Sequence, residues 1–233
     1  MFQGLCLLIP AKADPERDAV ARAWGAGRGT VLRVDRFWSP PEVEPARTRL
    51  YGNDAFCLVL AQKLGLTLVS PPDDLLLHVD PSWLGRRVVG STLEQVVTGP
   101  FPRFIKPQVP KLFRANVWNA PEALLAECQG LEPQTRVLSS DIVDIRAEAR
   151  AWVLEGRVLT CALYEGEGNA SMAQDFLDTV ARRASLPRTC VLDAAFVAGS
   201  GWVLLEANAA WGAGLNGCDA NAAARCIAEA SHA

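Results

Sequence analysis

The segment VLDAAFVAGSGWVLLEAN, residues 191–208, limits what this chain can fold into more than any other stretch. Two apolar arms flank a glycine-bearing loop, which is the pattern of an antiparallel hairpin. Side chains alternate between faces along a strand, so Glu206 and Asn208 share one face. A four-residue loop, Ala198 to Gly201, pairs Val197 with Trp202 and sets Asp193 opposite Glu206. A two-residue loop, Ser200-Gly201, sets Asp193 opposite Asn208 instead. Either loop gathers Asp193, Glu206 and Asn208 into one patch, because directly opposed Cβ atoms lie about 4.5 to 5.5 Å apart.

Two unpaired carboxylates at that separation repel, whereas a divalent cation accepts oxygens from both, with the Asn carbonyl as a neutral third ligand. Mg²⁺ keeps several waters and binds one or two carboxylates together with substrate phosphates, so a partial protein cage also points to a nucleotide. A solvent-facing polar edge is the plain alternative, but the neighbours of Asp193 and Glu206 are apolar.

Other chemistries have little to stand on. The two histidines, His78 and His232, and seven scattered cysteines without a CxxC pair furnish neither a zinc framework nor a Cys/His mechanism. Cys6, Cys57, Cys161 and Cys190 lie in apolar runs and read as small buried hydrophobes. A net charge of −3 supplies no general attraction to phosphate backbones or anionic lipid, so neither nucleic acid nor membrane is expected as a partner. The amino terminus lacks a basic leader before its short apolar run, which places the expected location in the cytoplasm.

With 233 residues, half of them apolar, the chain has room for one large or two small domains. GLCLLIP and TVLRVDRF read as strands, DPERDAVARAWGAG as a helix with an Asp cap, and GNDAFCLVLAQKLG as a second helix ending at Gly65. LTLVSPP reads as the third strand of a mostly parallel small α/β unit over residues 1–100. A short helix over Ser91 to Thr98 is expected to be capped by Ser91 with Glu94 three residues on. Residues 101–233 change to longer hairpins with intervening helices, including a hairpin turning at Glu155-Gly156, an amphipathic helix from Met172 and a terminal helix from Asn221.

Basic groups complement the carboxylates. Only four of the 23 basic residues are lysines, and two of those, Lys106 and Lys111, bracket a Pro-bounded loop in FIKPQVPKLF. They offer point charges to a polyphosphate, or form a merely solvated pair. In IRAEARAWV, Arg146, Glu148, Arg150 and Trp152 share one strand face and the alanines the other, the apolar face taking the core. Glu148 beside Arg150 reads equally as a structural ion pair.

The ordered set Lys106, Lys111, Glu148-Ala-Arg150, Asp193 and Glu206-Ala-Asn208 resembles the ATP-grasp fold of carboxylate–amine ligases, in the small branch named for an arginine and two lysines. The resemblance spans Tyr51 to Asp219, and Arg86 in GRRVVGSTL, or its neighbour Arg87, matches the branch's arginine. It implies two β-rich lobes with helices around a nucleotide cleft, preceded by the small α/β unit. Adenine would lie between two sheets against the backbone of Ser140, Asp141, Ile142 and Val143. Lys106 and Lys111 would contact phosphates beside Glu148, and Asp193, Glu206 and Asn208 would hold Mg²⁺ against ATP. Arg150 would stabilise the transferring phosphoryl group, Arg86 would hold the carboxylate, and Trp211 to Leu215 would line the acceptor pocket. The implied reaction joins a carboxylate, through an acyl phosphate, to an amine of a small molecule or peptide. A kinase or a non-catalytic nucleotide-binding module would use the same phosphate site. The glycine-rich phosphate-covering loop of many such proteins is missing between Lys106 and Lys111.

Overall fold

A computed structural model describes residues 1–233. In the amino-terminal part, β1 (Cys6–Pro10) is paired in parallel with β2 (Thr30–Val34) on one side and β3 (Thr48–Leu50) on the other. Between β1 and β2 runs α1 (Pro15–Ala26), whose start is set by the Asp14 carboxylate accepting from the Arg17 N–H and by Pro15 in the first turn. The helix α2 (Asp54–Leu64) is capped by Asn53 and stopped by Gly65 at φ 66°. The third strand of this sheet is therefore Thr48–Leu50, not LTLVSPP. From the latter only β4 (Thr67–Leu68) forms, and it pairs antiparallel with the chain's last strand, described below. Arg49 helps hold the carboxyl-terminal segment there, donating from Nε to the Ala228 carbonyl at 2.6 Å.

The middle of the chain makes an antiparallel sheet. Its strands are β5 (Val88–Thr92), β6 (Arg103–Pro107), β7 (Asn116–Trp118) and β8 (Arg136–Ser140), in the order β5-β8-β6-β7. The short helix α3 (Leu93–Val96) follows β5, and α4 (Pro121–Glu127) follows β7. Helix α3 is capped one residue later than the sequence suggests. Ser91 is still in the strand, paired with Val137, so Thr92 and Gln95 make the reciprocal capping bonds. Ile105, Phe113, Trp118, Leu124 and Val137 form this lobe's core.

The remaining chain builds the large sheet β10-β9-β11-β12 from β9 (Ile145–Leu154), β10 (Arg157–Gly166), β11 (Thr189–Val197) and β12 (Gly201–Asn208). Helix α5 (Ala170–Arg183) covers one face, where Ala151, Val153, Leu192 and Leu204 meet Leu177 and Val180. Helix α6 (Ala220–Ala228) and the closing strand β13 (Ser231–His232) return to the amino-terminal unit. The alternation reading of β9 holds only in part: Trp152, placed with the polar face, is fully buried with Val191 in a second core shared with α1, α2 and α6. A sheet covered on both faces leaves no solvent side at that end, and the polar stripe runs over Arg146, Glu148 and Arg150 only. No helix is long and apolar enough to cross a membrane.

Candidate active site

The hairpin β11–β12 brings Asp193 opposite Glu206, by a route that periodicity alone does not show. The loop is three residues, so Val197 pairs with Gly201 rather than Trp202. Continued unbroken, that register would set Asp193 against Leu205 and turn Glu206 to the far face. A β-bulge between Asp193 and Ala194 leaves Leu205 unpaired and restores the alignment, with Val191 then facing Asn208. On the other side β9 sets Arg150 against Asp193, so Arg150, Asp193 and Glu206 form one row across three strands.

The row is internally compensated. Arg150 grips Asp193 with Nε at 2.8 Å and Nη2 at 2.7 Å, and gives Nη1 to the Gly214 carbonyl at 3.0 Å. Lys106, on β6 of the other lobe, reaches Glu206 at 3.2 Å. The Asn208 amide donates to both carboxylates at 3.0 Å. Thus the carboxylates are paired with Arg150 and Lys106 rather than left to repel. Burial pushes the Asp193 carboxyl up, against the opposing pull of Arg150, for Asp193 is only 2% exposed. Burial acts the same way on Glu206, but the Lys106 charge and the Asn208 amide overcome it and hold that carboxyl below the ordinary range. Burial alone would lower the Arg150 guanidinium; Asp193 reverses this and raises it.

Tyr164 joins the cluster unannounced by the sequence. It is the unpaired residue of a bulge between Leu163 and Glu165 on β10, and its hydroxyl donates to Glu148. Its ring lies 5.8 Å from the Arg150 guanidinium, and burial followed by the Glu148 bond raises its pKa. No hairpin rule places a bulge of this kind, so only the aromatic in LTCALYEG signals it.

A cavity of about 340 Å³ opens between the β5-β8-β6-β7 sheet and the large sheet. Its apolar walls include Val88, Phe104, Leu138, Ile142 and Leu205; its polar end holds Lys106, Glu148, Asp193 and Glu206. The link Ser140 to Val143 lines it as well. Asp141 is partly committed, accepting from the Arg87 backbone N–H at 3.0 Å. Arg86, not Arg87, faces the cavity. Its Nη1 donates to the carbonyls of Leu84 and Leu204 at 2.9 and 3.0 Å, beside the bulge, and burial lowers its pKa.

Two of the features singled out in the sequence lie apart from this arrangement. Lys111, at φ 68° and 69% exposed, pairs with Asp54 of α2 at 2.7 Å and does not line the cavity. In Trp211 to Leu215 the side chains of Trp211, Ala213 and Leu215 are buried, leaving mainly glycine backbone at the surface. Burial pushes the Cys161 thiol up to about 11 and that of Cys226 to about 12.

The donor set suits a Mg²⁺ ion brought in with phosphates. Asp193 and Glu206 supply two carboxylates on neighbouring strands, Asn208 a third oxygen on turning its amide, and no third His, Cys, Asp or Glu completes a cage.

A family model for the ATP-grasp domain, family 2 of the clade named for one arginine and two lysines, matches residues 83–226. A RimK domain ATP-grasp protein from Sphaerobacter thermophilus DSM 20745 is similar in structure, with a TM-score of 0.64 and 15% identity over 95% of this chain and 99% of that one. The D-cycloserine synthetase DcsG has a TM-score of 0.57, at 15% identity over 97% and 98% of the two chains. The ATP-grasp ligase PsnB, complexed with a phosphomimetic variant of its minimal precursor, Mg and ADP, has a TM-score of 0.52 at 14% identity over 88% of each chain. No curated protein matches at the sequence level.

Proposed function

This chain belongs to the ATP-grasp domains, in family 2 of the arginine-and-two-lysines clade, and from that premise we propose an ATP-dependent ligase that activates a carboxylate as an acyl phosphate and joins it to an amine. The observation that carries the reading is the row Arg150, Asp193, Glu206 with Lys106 reaching it from the opposing lobe, at one end of an apolar cavity between two sheets.

Adenine fits the apolar walls, with the Ser140 to Val143 backbone at its edge. The triphosphate then runs toward Lys106 and Arg150, whose guanidinium keeps N–H groups beyond the three already used. Phosphoryl transfer calls chiefly for positioning and charge neutralisation, and these side chains supply both. Asp193, Glu206 and Asn208 would hold a Mg²⁺ ion, which would supply further charge neutralisation. Arg150 stabilises that group while Asp193 keeps the guanidinium oriented. Glu148, hydrogen-bonded to Tyr164, is available to the nucleotide or to an incoming ammonium. Lys111 reaches phosphate only by leaving Asp54, and Arg86 has its remaining donors for a carboxylate or the nucleobase. The substrates are small molecules or peptides; the synthetase and precursor-bound ligase among the similar structures support that range. The amino-terminal unit, residues 1–100, serves here as a support for the catalytic part, residues 101–233.

The test is incubation with Mg-ATP and pooled amino acids and peptides. Amide, ADP and phosphate in equal amounts support the ligase. A phosphorylated product would make it a kinase, and tight ATP binding without turnover a binding module. Lys106→Ala is expected to weaken ATP binding; a wild-type dissociation constant contradicts its phosphate role.

A further inference from the structure

One side chain outside the cleft converges on Arg150 through a single peptide unit. Glu16, in the first turn of α1, accepts from two consecutive backbone N–H groups, Leu215 to Oε2 and Asn216 to Oε1, both at 2.8 Å. The carbonyl of that Gly214–Leu215 peptide accepts from Arg150 Nη1 at 3.0 Å. So the two ends of one peptide plane are held from opposite sides, by Glu16 at its N–H and by Arg150 at its C=O. Fixing the plane fixes where Nη1 is drawn, and with it how Nε and Nη2 meet Asp193. Gly214 is where such an approach needs a missing side chain, since a Cβ there would lie 2.7 Å from Glu16 Oε2 and 3.8 Å from Arg150 Nη1. The segment is pinned around it too, Tyr51 donating its hydroxyl to the Ala213 carbonyl at 3.0 Å.

We propose that Glu16 is a positioning residue for Arg150, the means by which the amino-terminal unit sets the geometry of phosphoryl transfer. This rests on the reading of Arg150 as the group that stabilises the transferring phosphoryl. A carboxylate is required at position 16 because two N–H donors face it; an amide turns one of its own N–H groups against one of them.

Glu16→Gln tests it. The expected result is a fall in kcat of about tenfold to a hundredfold, the loss of roughly one charge-assisted hydrogen bond, with the KM for ATP within about threefold of wild type. In an Arg150→Lys background the same substitution adds less than about twofold, because its target is already gone. Losses that multiply in the double variant, or an unchanged kcat, overturn the proposal. Glu16→Asp, which keeps both acceptors, is expected to recover part of the activity. A second measurement is independent of turnover: in full-length ¹⁵N-labelled protein without nucleotide, hydrogen exchange of the Arg150 Nε–H, identified by its absence in Arg150→Lys, accelerates about tenfold in Glu16→Gln. Unchanged exchange overturns the clamp. Should Glu16→Gln fail to fold, Gly214→Ala displaces the same carboxylate and is read in the same way. A wild-type protein that turns over nothing, yet shows the exchange effect, sinks the ligase reading and leaves the clamp standing.

Discussion

Asp193 and Glu206 are each held by a different cation, and that difference has consequences. Glu206 has its pKa depressed by Lys106 and the Asn208 amide against the effect of burial. A depressed carboxyl stabilises the fold above its unfolded pKa, about 4.3, and the contribution disappears as pH falls through the folded value. The stability difference between wild type and Lys106→Met is therefore expected to be full at pH 7 and to vanish toward pH 3 in urea titrations; a constant difference would contradict the pairing. Asp193 is buried deeper and gripped twice by Arg150. Asp193→Asn leaves the guanidinium without its counter-charge and is expected to cost about 3 kcal/mol, within the 5 to 15 kcal/mol of a typical domain, while abolishing turnover. Glu206, 43% exposed, has less to lose: Glu206→Gln is expected to melt near wild type and also to be inactive. Full activity in both variants would contradict the site.

Among the elements, the hairpins show what could be read in advance. Of the two even loops that alternation allows, only the four-residue one set Asp193 against Glu206; the true loop is odd, and the bulge at Leu205 corrects the count. The outcome agreed because two one-residue departures cancel. No such cancellation helps in β10, where bulges at Leu159 and Tyr164 shift the register, so Tyr164 could not be placed on Glu148. A cap was legible where a polar residue precedes an apolar period, as at Asp14, because that chemistry is local. The same reading failed at Ser91, where strand pairing claimed the residue. The surroundings of Lys111 and Trp152 were not legible for a related reason: what each touches is decided by elements far away in the sequence. Since Trp152 is fully buried in the core that also holds residues of α1, α2 and α6, Trp152→Ala is expected to cost about 3 to 5 kcal/mol in chemical denaturation. A loss under about 1 kcal/mol would show that this face is not a core.

The whole molecule is closed by its ends. Residues of β1, α1 and α2 share one core with Trp211, Leu215, Ala223 and Ile227, so the part matching the family model cannot keep its tail packed alone. A fragment of residues 83–233 is expected to bind hydrophobic dye and unfold without cooperativity; a sharp melting transition would contradict the shared core. Across the same junction Lys111 and Asp54 form an exposed pair worth at most about 1 kcal/mol. Asp54→Asn frees the lysine and is expected to tighten ATP binding by about twofold to fivefold if Lys111 serves the phosphates. The central claim, that Lys106 leaves Glu206 for a metal-bound triphosphate while Asp193 keeps Arg150 aimed at it, is tested most directly by a crystal structure with a non-hydrolysable ATP analogue and Mg²⁺. The expected result is the base between the two sheets, phosphates on Lys106 and Arg150, and the ion on Asp193, Glu206 and Asn208. Nucleotide bound elsewhere, with Lys106 still on Glu206 and no ion beside Asp193, would contradict it.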